Sequence, residues 1–358
     1  MVKKLSKYIE IKTDNNDKKI WNKYCKKFID KPLHNILPPT RRIIVIGDIH
    51  GDWDRLLDTL QLAGVINKKK PCKWIGGDTV VVQVGDQIDR TRIVENHEYI
   101  INDENSDIKI LKYFTQLHNK ALKYGGAVYS LFGNHELMNV MGDMRYVSPA
   151  NIKDFNNYKI KNKIIKNGLD ARKFAFKPGN KIAQFLACTR LGVLTIGSNL
   201  FVHAGIVPEL AKKHTIGSIN RIIRDWLLNN FIHDSAELSK ILLAEDYSPF
   251  WTRIMGSLNQ DEYFENSYCK NIEENVLEVW NKKMNLKIGY IFIGHTPTFQ
   301  YNKSINSICN GKIWRTDIGL SKAFDHPDFN GKEYLSPARK PAVVEILNDK
   351  YIKVLHLP

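Results

Sequence analysis

From Arg41 onward the chain repeats one local pattern. A short apolar run, mostly β-branched, stops at or beside a glycine, and polar side chains follow at once. Ile43-Ile44-Val45-Ile46 leads into Gly47-Asp48-Ile49-His50-Gly51, and Val80-Val81-Val82-Gln83-Val84 into Gly85-Asp86-Gln87-Ile88-Asp89-Arg90. Ala127-Val128-Tyr129-Ser130-Leu131-Phe132 leads into Gly133-Asn134-His135-Glu136. Leu200-Phe201-Val202 leads into His203-Ala204-Gly205, and Tyr290-Ile291-Phe292-Ile293 into Gly294-His295-Thr296. Continuous apolar runs of this kind predict strands buried on both faces.

Between the runs the period changes to that of a helix. Asp52 can cap a helix carrying Trp53, Leu56, Leu57 and Leu60, ended near Gly64. Ser106 can cap another carrying Ile108, Leu111, Phe114, Leu117 and Ala121, ended at Gly125-Gly126. Residues 206–285 read as mainly helical, with Ile219, Ile222, Ile223, Trp226 and Leu227 on one face; short strands and turns return from Ile305. Strands alternating with helices predict an α/β domain. In such folds ligands gather at the carboxyl ends of the strands, where every polar cluster falls. Residues 1–40 read as an N-terminal appendage to a main domain over 41–358. There Ile20, Trp21, Tyr24, Cys25, Phe28 and Ile29 recur at helical spacing and predict a short amphipathic helix packed on the body.

Composition narrows the class. A chain of 358 residues, 43% hydrophobic and 25% charged, has the balance of a globular protein and not of a disordered or fibrous one. No apolar stretch reaches the roughly 18 residues of a membrane span. The basic start, Met1 to Tyr8, lacks the apolar core of a secretory signal. Five cysteines (Cys25, Cys72, Cys188, Cys269, Cys309) are scattered and never spaced as a CxxC pair. That predicts a reducing compartment and argues against both a disulfide framework and a zinc–thiolate site. A soluble cytoplasmic protein is expected, or one of host cytoplasm or virion for a viral chain. The 53 Lys+Arg against 38 Asp+Glu leave a formal charge of +15, which attracts polyanions. The excess is mostly Lys in a chain rich in Ile and Asn, as an AT-rich genome alone produces, and no nucleic-acid-binding motif accompanies it. Neither a specific nucleic acid nor a membrane is expected as partner, and oligomeric state is not readable.

The polar clusters make a coherent chemical set. Asp48 and His50, one residue apart, point to the same side of extended backbone and can share an ion. Asp86 brings a carboxylate able to bridge two metals, Asn134 a neutral amide oxygen, and His203 and His295 imidazole nitrogen. Mixed oxygen and nitrogen donors without thiolate suit two divalent metal ions, Mn²⁺ first with Fe or Zn²⁺ as alternatives, and disfavour Mg²⁺. Any one cluster alone is weak, since a Gly-Asp turn is usually only a turn and a buried His usually a core residue. Two ions about 3.5–4 Å apart can hold a hydroxide between them for in-line attack on phosphorus. The departing oxygen then needs a proton. His135 is the candidate acid, with Asp89 holding its other ring nitrogen. Arg90 offers a planar fork for phosphate oxygens.

In order and spelling these motifs resemble the calcineurin-like metallophosphoesterases, and within them the phosphoprotein-phosphatase type. Leu137-Met138-Asn139, Gly142-Asp143, Arg145-Tyr146-Val147, Trp251-Thr252-Arg253 and Thr316-Asp317-Ile318-Gly319-Leu320-Ser321 are similar to the bacterial-type, Shewanella-like protein phosphatases. Residues 83–147 also resemble phosphoesterases of large DNA viruses. The resemblance covers residues 41–348 and implies a four-layer αββα sandwich, two mixed sheets flanked by helices. It further implies one metal on Asp48, His50 and Asp86, and the other on Asp86, Asn134, His203 and His295. Arg90, Asn134 and His135 would contact phosphate, Arg253 from the helical region would complete the grip, and Asp89 would support His135.

The implied activity is that of a protein phosphatase, phospho-Ser/Thr first, with a phosphorylated protein or peptide as substrate. Hydrolysis of dinucleoside polyphosphates and a catalytically dead scaffold are the competing readings. The chain departs from the family pattern in places. Thr91 stands where Gly usually follows Asp-Arg, so the loop must leave differently. Ala204 replaces the first of two Gly after the His, a methyl that the fold should tolerate. The acidic segment with Glu95, Glu98, Asp103, Glu104 and Asp107 reads as a solvated loop.

Overall fold

Alternation along the first long strand sets the layering. In Arg42–Ile46, Ile43 and Val45 lie on one face and Ile44 and Ile46 on the other, and all are buried. A strand apolar at successive positions has no face to give to water, so both faces must be covered. The computed structural model describes residues 15–94, 97–100, 102–230, 234–257, 262–301, 304–325 and 339–357.

A five-stranded sheet runs in the order Tyr351–His356, Ala342–Leu347, Arg42–Ile46, Val80–Gln83, Ala127–Ser130. Its last three strands are parallel and the others antiparallel. A six-stranded sheet runs Ile36–Leu37, Val193–Ile196, Asn199–Val202, Tyr290–Ile293, Ile313–Arg315, Asn306–Ile308, and is mixed as well. The sheets pack face to face, Ile43, Val45, Val82 and Val344 of one sharing a core with Leu194, Phe201 and Phe292 of the other. Phe292 stacks between Phe201 and Trp314, at centroid distances of 5.2 and 6.3 Å.

Helices cover the outer faces. Leu56, Leu60, Phe114 and Leu117 pack on Ile44, Ile46, Val81 and Val128. Leu186, Ile219, Ile223, Leu227 and Trp280 pack on Val193, Leu200, Val202 and Ile291. Each Leu or Ile buried in these layers contributes about 1.5–3 kcal/mol. Helix, sheet, sheet, helix is the αββα sandwich that the motifs implied.

Local signals are partly reproduced. Asp52 caps Trp53–Leu62, its Oδ1 accepting from the Arg55 amide at 3.0 Å. The helix Asp107–Ala121 ends at Gly125 with φ 82°, but Ser106 does not cap it. Its hydroxyl donates instead to the Gly51 carbonyl, tying this helix to the loop after the first strand. The described part of the N-terminal segment forms the helical turns Asn15–Ile20 and Trp21–Cys25. It then supplies the edge strand Ile36–Leu37, parallel to Val193–Ile196.

The cysteine reading is corrected. Cys25 is bonded to Cys188 and Cys269 to Cys309, with Cα atoms 5.0 and 5.3 Å apart, while Cys72 is free and exposed. The partners lie 163 and 40 residues apart in the chain. Only folding brings them within bridging range, so no spacing rule on the linear sequence pairs them. The argument for a reducing compartment loses its basis. Among the described residues no helix is long and apolar enough to cross a membrane.

Candidate metal centre and active site

The polar clusters converge because every one follows a strand of the two packed sheets. The chain leaves these strands through strained turns: His50, Asp86, Asp89 and His295 have φ of 44, 53, 73 and 67°. Such values are uncommon outside glycine and persist where surrounding contacts dictate them. Here the His50 amide donates to the Asp86 carbonyl at 3.0 Å and the Gly294 amide to the His203 carbonyl at 2.7 Å. Glu136 clamps the central turn, its carboxylate accepting from the amides of Gly133, Asp86 and Gln87 at 2.7, 3.0 and 2.7 Å. Glycine is required at two close approaches. A Cβ on Gly133 would lie 2.0 Å from Asp86 Oδ1, and one on Gly294 2.2 Å from Asp48 Oδ1.

Asp86 is the hub. Its Oδ2 lies 3.8, 3.9 and 3.4 Å from the Nε2 atoms of His50, His135 and His203. Two buried groups share it, His50–Asp86–His135 and Asp86–His203–His295, each with ligand atoms within 4.8 Å of one another. Asp48 joins from the side: its Oδ2 accepts from the His295 amide at 3.0 Å and lies 3.9 Å from His50 Nε2. Asn134 Oδ1 sits 3.0 Å from both His203 Nε2 and His295 Nδ1.

The histidines fall into two kinds. His50 Nδ1 donates to the Ile88 carbonyl at 3.3 Å, His203 Nδ1 to Val84 at 2.9 Å and His295 Nε2 to Trp251 at 3.1 Å. A carbonyl partner on one ring nitrogen fixes the tautomer and turns the other, unprotonated nitrogen to the centre, as metal ligation requires. Burial, then the charges of Arg92 and His135, holds His50 well below the ordinary histidine range; burial, then His203 and Arg253, does the same to His295. His135 differs. Its Nδ1 donates to Asp89 Oδ2 at 2.9 Å, and although burial opposes its charge, Asp86 and Asp89 raise its pKa.

The carboxylates are crowded. Asp86 is held well below the usual range because His203, His135 and His50 outweigh its burial. Asp48 is pushed well above it by burial and by the neighbouring Asp317 and Asp86. Among the described residues, buried Asp48 Oδ1 and Asp317 Oδ2 have no hydrogen-bond partner. Lone pairs of imidazole, amide and carboxylate facing one another are what a divalent cation satisfies. The donor set therefore fits a metal centre.

Several residues here were missed by sequence reasoning. Asp317 lies against Asp48; its signals in the sequence were the Thr316–Ser321 stretch and its place after the strand Ile313–Arg315. Asn139 donates to both oxygens of Asp89 at 3.0 Å and accepts from Arg172 Nε at 2.9 Å. Arg172 also bonds Asp107 Oδ2 at 2.8 Å. The acidic segment is corrected in turn. Asp107 is fully buried, Glu104 accepts from the Trp53 amide and Arg90, and Asp103 accepts from the Ala150 amide. Glu98 is exposed, and Glu95 lies outside the described residues. The segment is tied down because those carboxylates meet buried cations and backbone amides. Of the two arginines expected at the phosphate, Arg253 lies at the rim, its Nη1 donating to the His295 carbonyl at 3.2 Å. Arg90 bonds the Gly51 carbonyl and Glu104 at 2.9 and 3.0 Å and lies 3.6 Å from Asp52.

Residues 41–299 match the family model of calcineurin-like phosphoesterases. The chain belongs to that family. Phosphoester hydrolysis at a divalent-metal centre is the chemistry of this family, and the histidine and aspartate groups around Asp86 are the candidate ligands. The chain is 38% identical over 260 residues to an uncharacterized protein of Acanthamoeba polyphaga mimivirus, covering 68% of this chain and 97% of that one. It is 28% identical over 312 residues to Shewanella-like protein phosphatase 2 of Arabidopsis thaliana, covering 78% and 72%. A solved cold-active protein tyrosine phosphatase superposes with a TM-score of 0.60 at 19% identity, covering 91% of this chain and 83% of that one, a likeness of fold.

Proposed function

We propose that this phosphoesterase is a phosphomonoesterase of phosphoproteins, with phospho-Ser/Thr as its preferred substrate, Mn²⁺ as its metal and residues 41–358 as its catalytic unit. The observation that carries the reading is Asp86 Oδ2, shared between two groups of inward-facing histidine nitrogens. The similarity to a Shewanella-like protein phosphatase supports a phosphoprotein substrate.

Asp48, His50 and Asp86 would hold one ion, and Asp86, Asn134, His203 and His295 the other. Ions bound there activate water for attack on phosphorus and neutralise charge on the phosphoryl oxygens. The chain's own residues supply the rest. His135 holds a proton at Nε2 and delivers it to the leaving alkoxide, and Asp89 keeps the ring oriented and charged. Asn139 and Arg172 keep Asp89 in place, and Arg253 borders the entrance, where the substrate's phosphate arrives.

The test is turnover by the purified chain with Mn²⁺ on matched phosphoserine, phosphothreonine and phosphotyrosine peptides and on diadenosine tetraphosphate, with metal content measured on the same preparation. Preference for the first two peptides, lost in Asp86→Asn, is expected. Faster cleavage of the dinucleotide, or no turnover by a metal-loaded chain, would refute the reading.

A further inference from the structure

We propose that Arg92, and not Arg90, supplies the guanidinium that grips the transferring phosphoryl group. The proposal rests on the phosphatase reading above and assigns a residue to it.

Arg90 is committed elsewhere. It is 1% exposed, and the Gly51 carbonyl, Glu104 and Asp52 surround its guanidinium. That places its charge against two carboxylates, where it ties the loop after the first strand to the acidic segment. Arg92, two residues on, is also buried, at 7% exposed. Its Nη1 donates to the carbonyls of Asp89 and Thr91 at 3.1 and 2.7 Å, which fixes the head group. Among the described residues its Nε and Nη2 are buried without a hydrogen-bond partner.

The choice of atoms matters. Nε and Nη2 are the two donors on one edge of the guanidinium plane, the edge that meets two oxygens of a phosphate or carboxylate side by side. A buried arginine that anchors its third nitrogen and leaves this edge unpaired is suited to a bidentate oxyanion. Its surroundings put the guanidinium beside the centre. Arg92 acts electrostatically on His50 and His135, and Asp86, Asp89, Asp317 and Tyr146 act on it. Its head group stacks 4.4 Å from the Phe324 ring, which in turn packs edge-on against His50 at 5.5 Å. Phe324 thus holds the guanidinium plane from one side.

The sequence departure at Thr91 fits the same picture. The loop leaves the Asp-Arg pair through Thr91 and not Gly, and Arg92 follows at once as the first residue of the strand Arg92–Val94. Asp89 has φ 73°, and the Thr91 amide is fixed by the Tyr146 carbonyl at 2.9 Å. These contacts fix the backbone from which Arg92 projects, and so fix where its guanidinium stands.

The experiment measures binding of inorganic phosphate by calorimetry to the Mn²⁺-loaded chain, beside hydrolysis of para-nitrophenyl phosphate, for wild type, Arg92→Lys, Arg92→Ala and Arg90→Gln. Arg92→Lys keeps the charge but loses the two-pronged edge, so phosphate affinity should fall about ten- to a hundredfold with metal content unchanged. Added guanidinium ion should restore turnover to Arg92→Ala, which a scaffold residue would not allow. Arg90→Gln should melt at lower temperature while binding phosphate as wild type does. Unchanged phosphate affinity in Arg92→Lys, or failure of both Arg92 variants to fold, would overturn the assignment. If wild type binds phosphate but hydrolyses nothing, the phosphatase reading fails on its own, and the affinity ratio still decides on Arg92.

Discussion

His135 Nδ1 lies 2.9 Å from Asp89 Oδ2. His50 and His203 have a backbone carbonyl at Nδ1 and His295 one at Nε2, and this difference in partner sets His135 apart from the candidate ligands of the cluster. A carbonyl fixes the tautomer of a neutral imidazole, whereas a carboxylate also stabilises the imidazolium.

Asp89→Asn should therefore lower kcat more than KM. The loss expected for a general acid is about 10²–10⁴-fold. It should be largest on phosphoserine peptides and smaller on para-nitrophenyl phosphate, whose leaving group needs no proton. Equal losses on both substrates would remove His135 from the acid role.

Chelation should destabilise the fold, since Asp48, Asp86 and Asp317 crowd one another in the buried centre. Thermal melting after chelator treatment should shift down and recover saturably with Mn²⁺. The gain is about 2.7 kcal/mol at a hundredfold excess over Kd. A melting temperature indifferent to both treatments would contradict a resident metal.

Glu237 gives a pH signature remote from the centre. Burial raises its pKa, but hydrogen bonds from Lys213, Tyr247 and His214 prevail and bring it down to about 2 from 4.5. Tyr247 and His214 donate at 2.6 and 2.7 Å. A depressed carboxylate contributes stability that is fully present above its unfolded pKa and is lost as pH falls through the folded one. The melting gap between wild type and Glu237→Gln should hold at neutral pH and close between pH 4.5 and about 2. A gap that stays constant across that window would show that charge is not its origin.

The disulfides can be counted. Under native, non-reducing conditions a thiol reagent should label Cys72 alone, and denaturation without reductant should add no further site. Cys188→Ser should cost about 2–5 kcal/mol, because it releases the link between the N-terminal segment and the helix Lys181–Thr189. Labelling of all the cysteines would show the bridges unformed.

The strands and the donor residues at their ends were legible in the sequence because their signals are local. A β-branched run closed by glycine needs burial on both faces. Asp48, His50, Asp86, Asn134, His203 and His295 each follow such a run, so placing the strands placed the donors. Contacts between distant segments left no such trace. Cys25 meets Cys188, and Asp89 depends on Asn139, Arg172 and Asp107, through approaches that no periodicity encodes.

The direction of a side chain after a strained turn is likewise a tertiary matter. Arg90 and Arg92 are two residues apart, yet one guanidinium faces Asp52 and Glu104 while the other keeps its Nε–Nη2 edge unpartnered among the described residues. The left-handed backbone at Asp86 and Asp89 turns the loop, and the carboxylates packed around it select which arginine they neutralise. Hydrophobic patterning decides which segments are buried; only the assembled electrostatic field decides where a buried charge points.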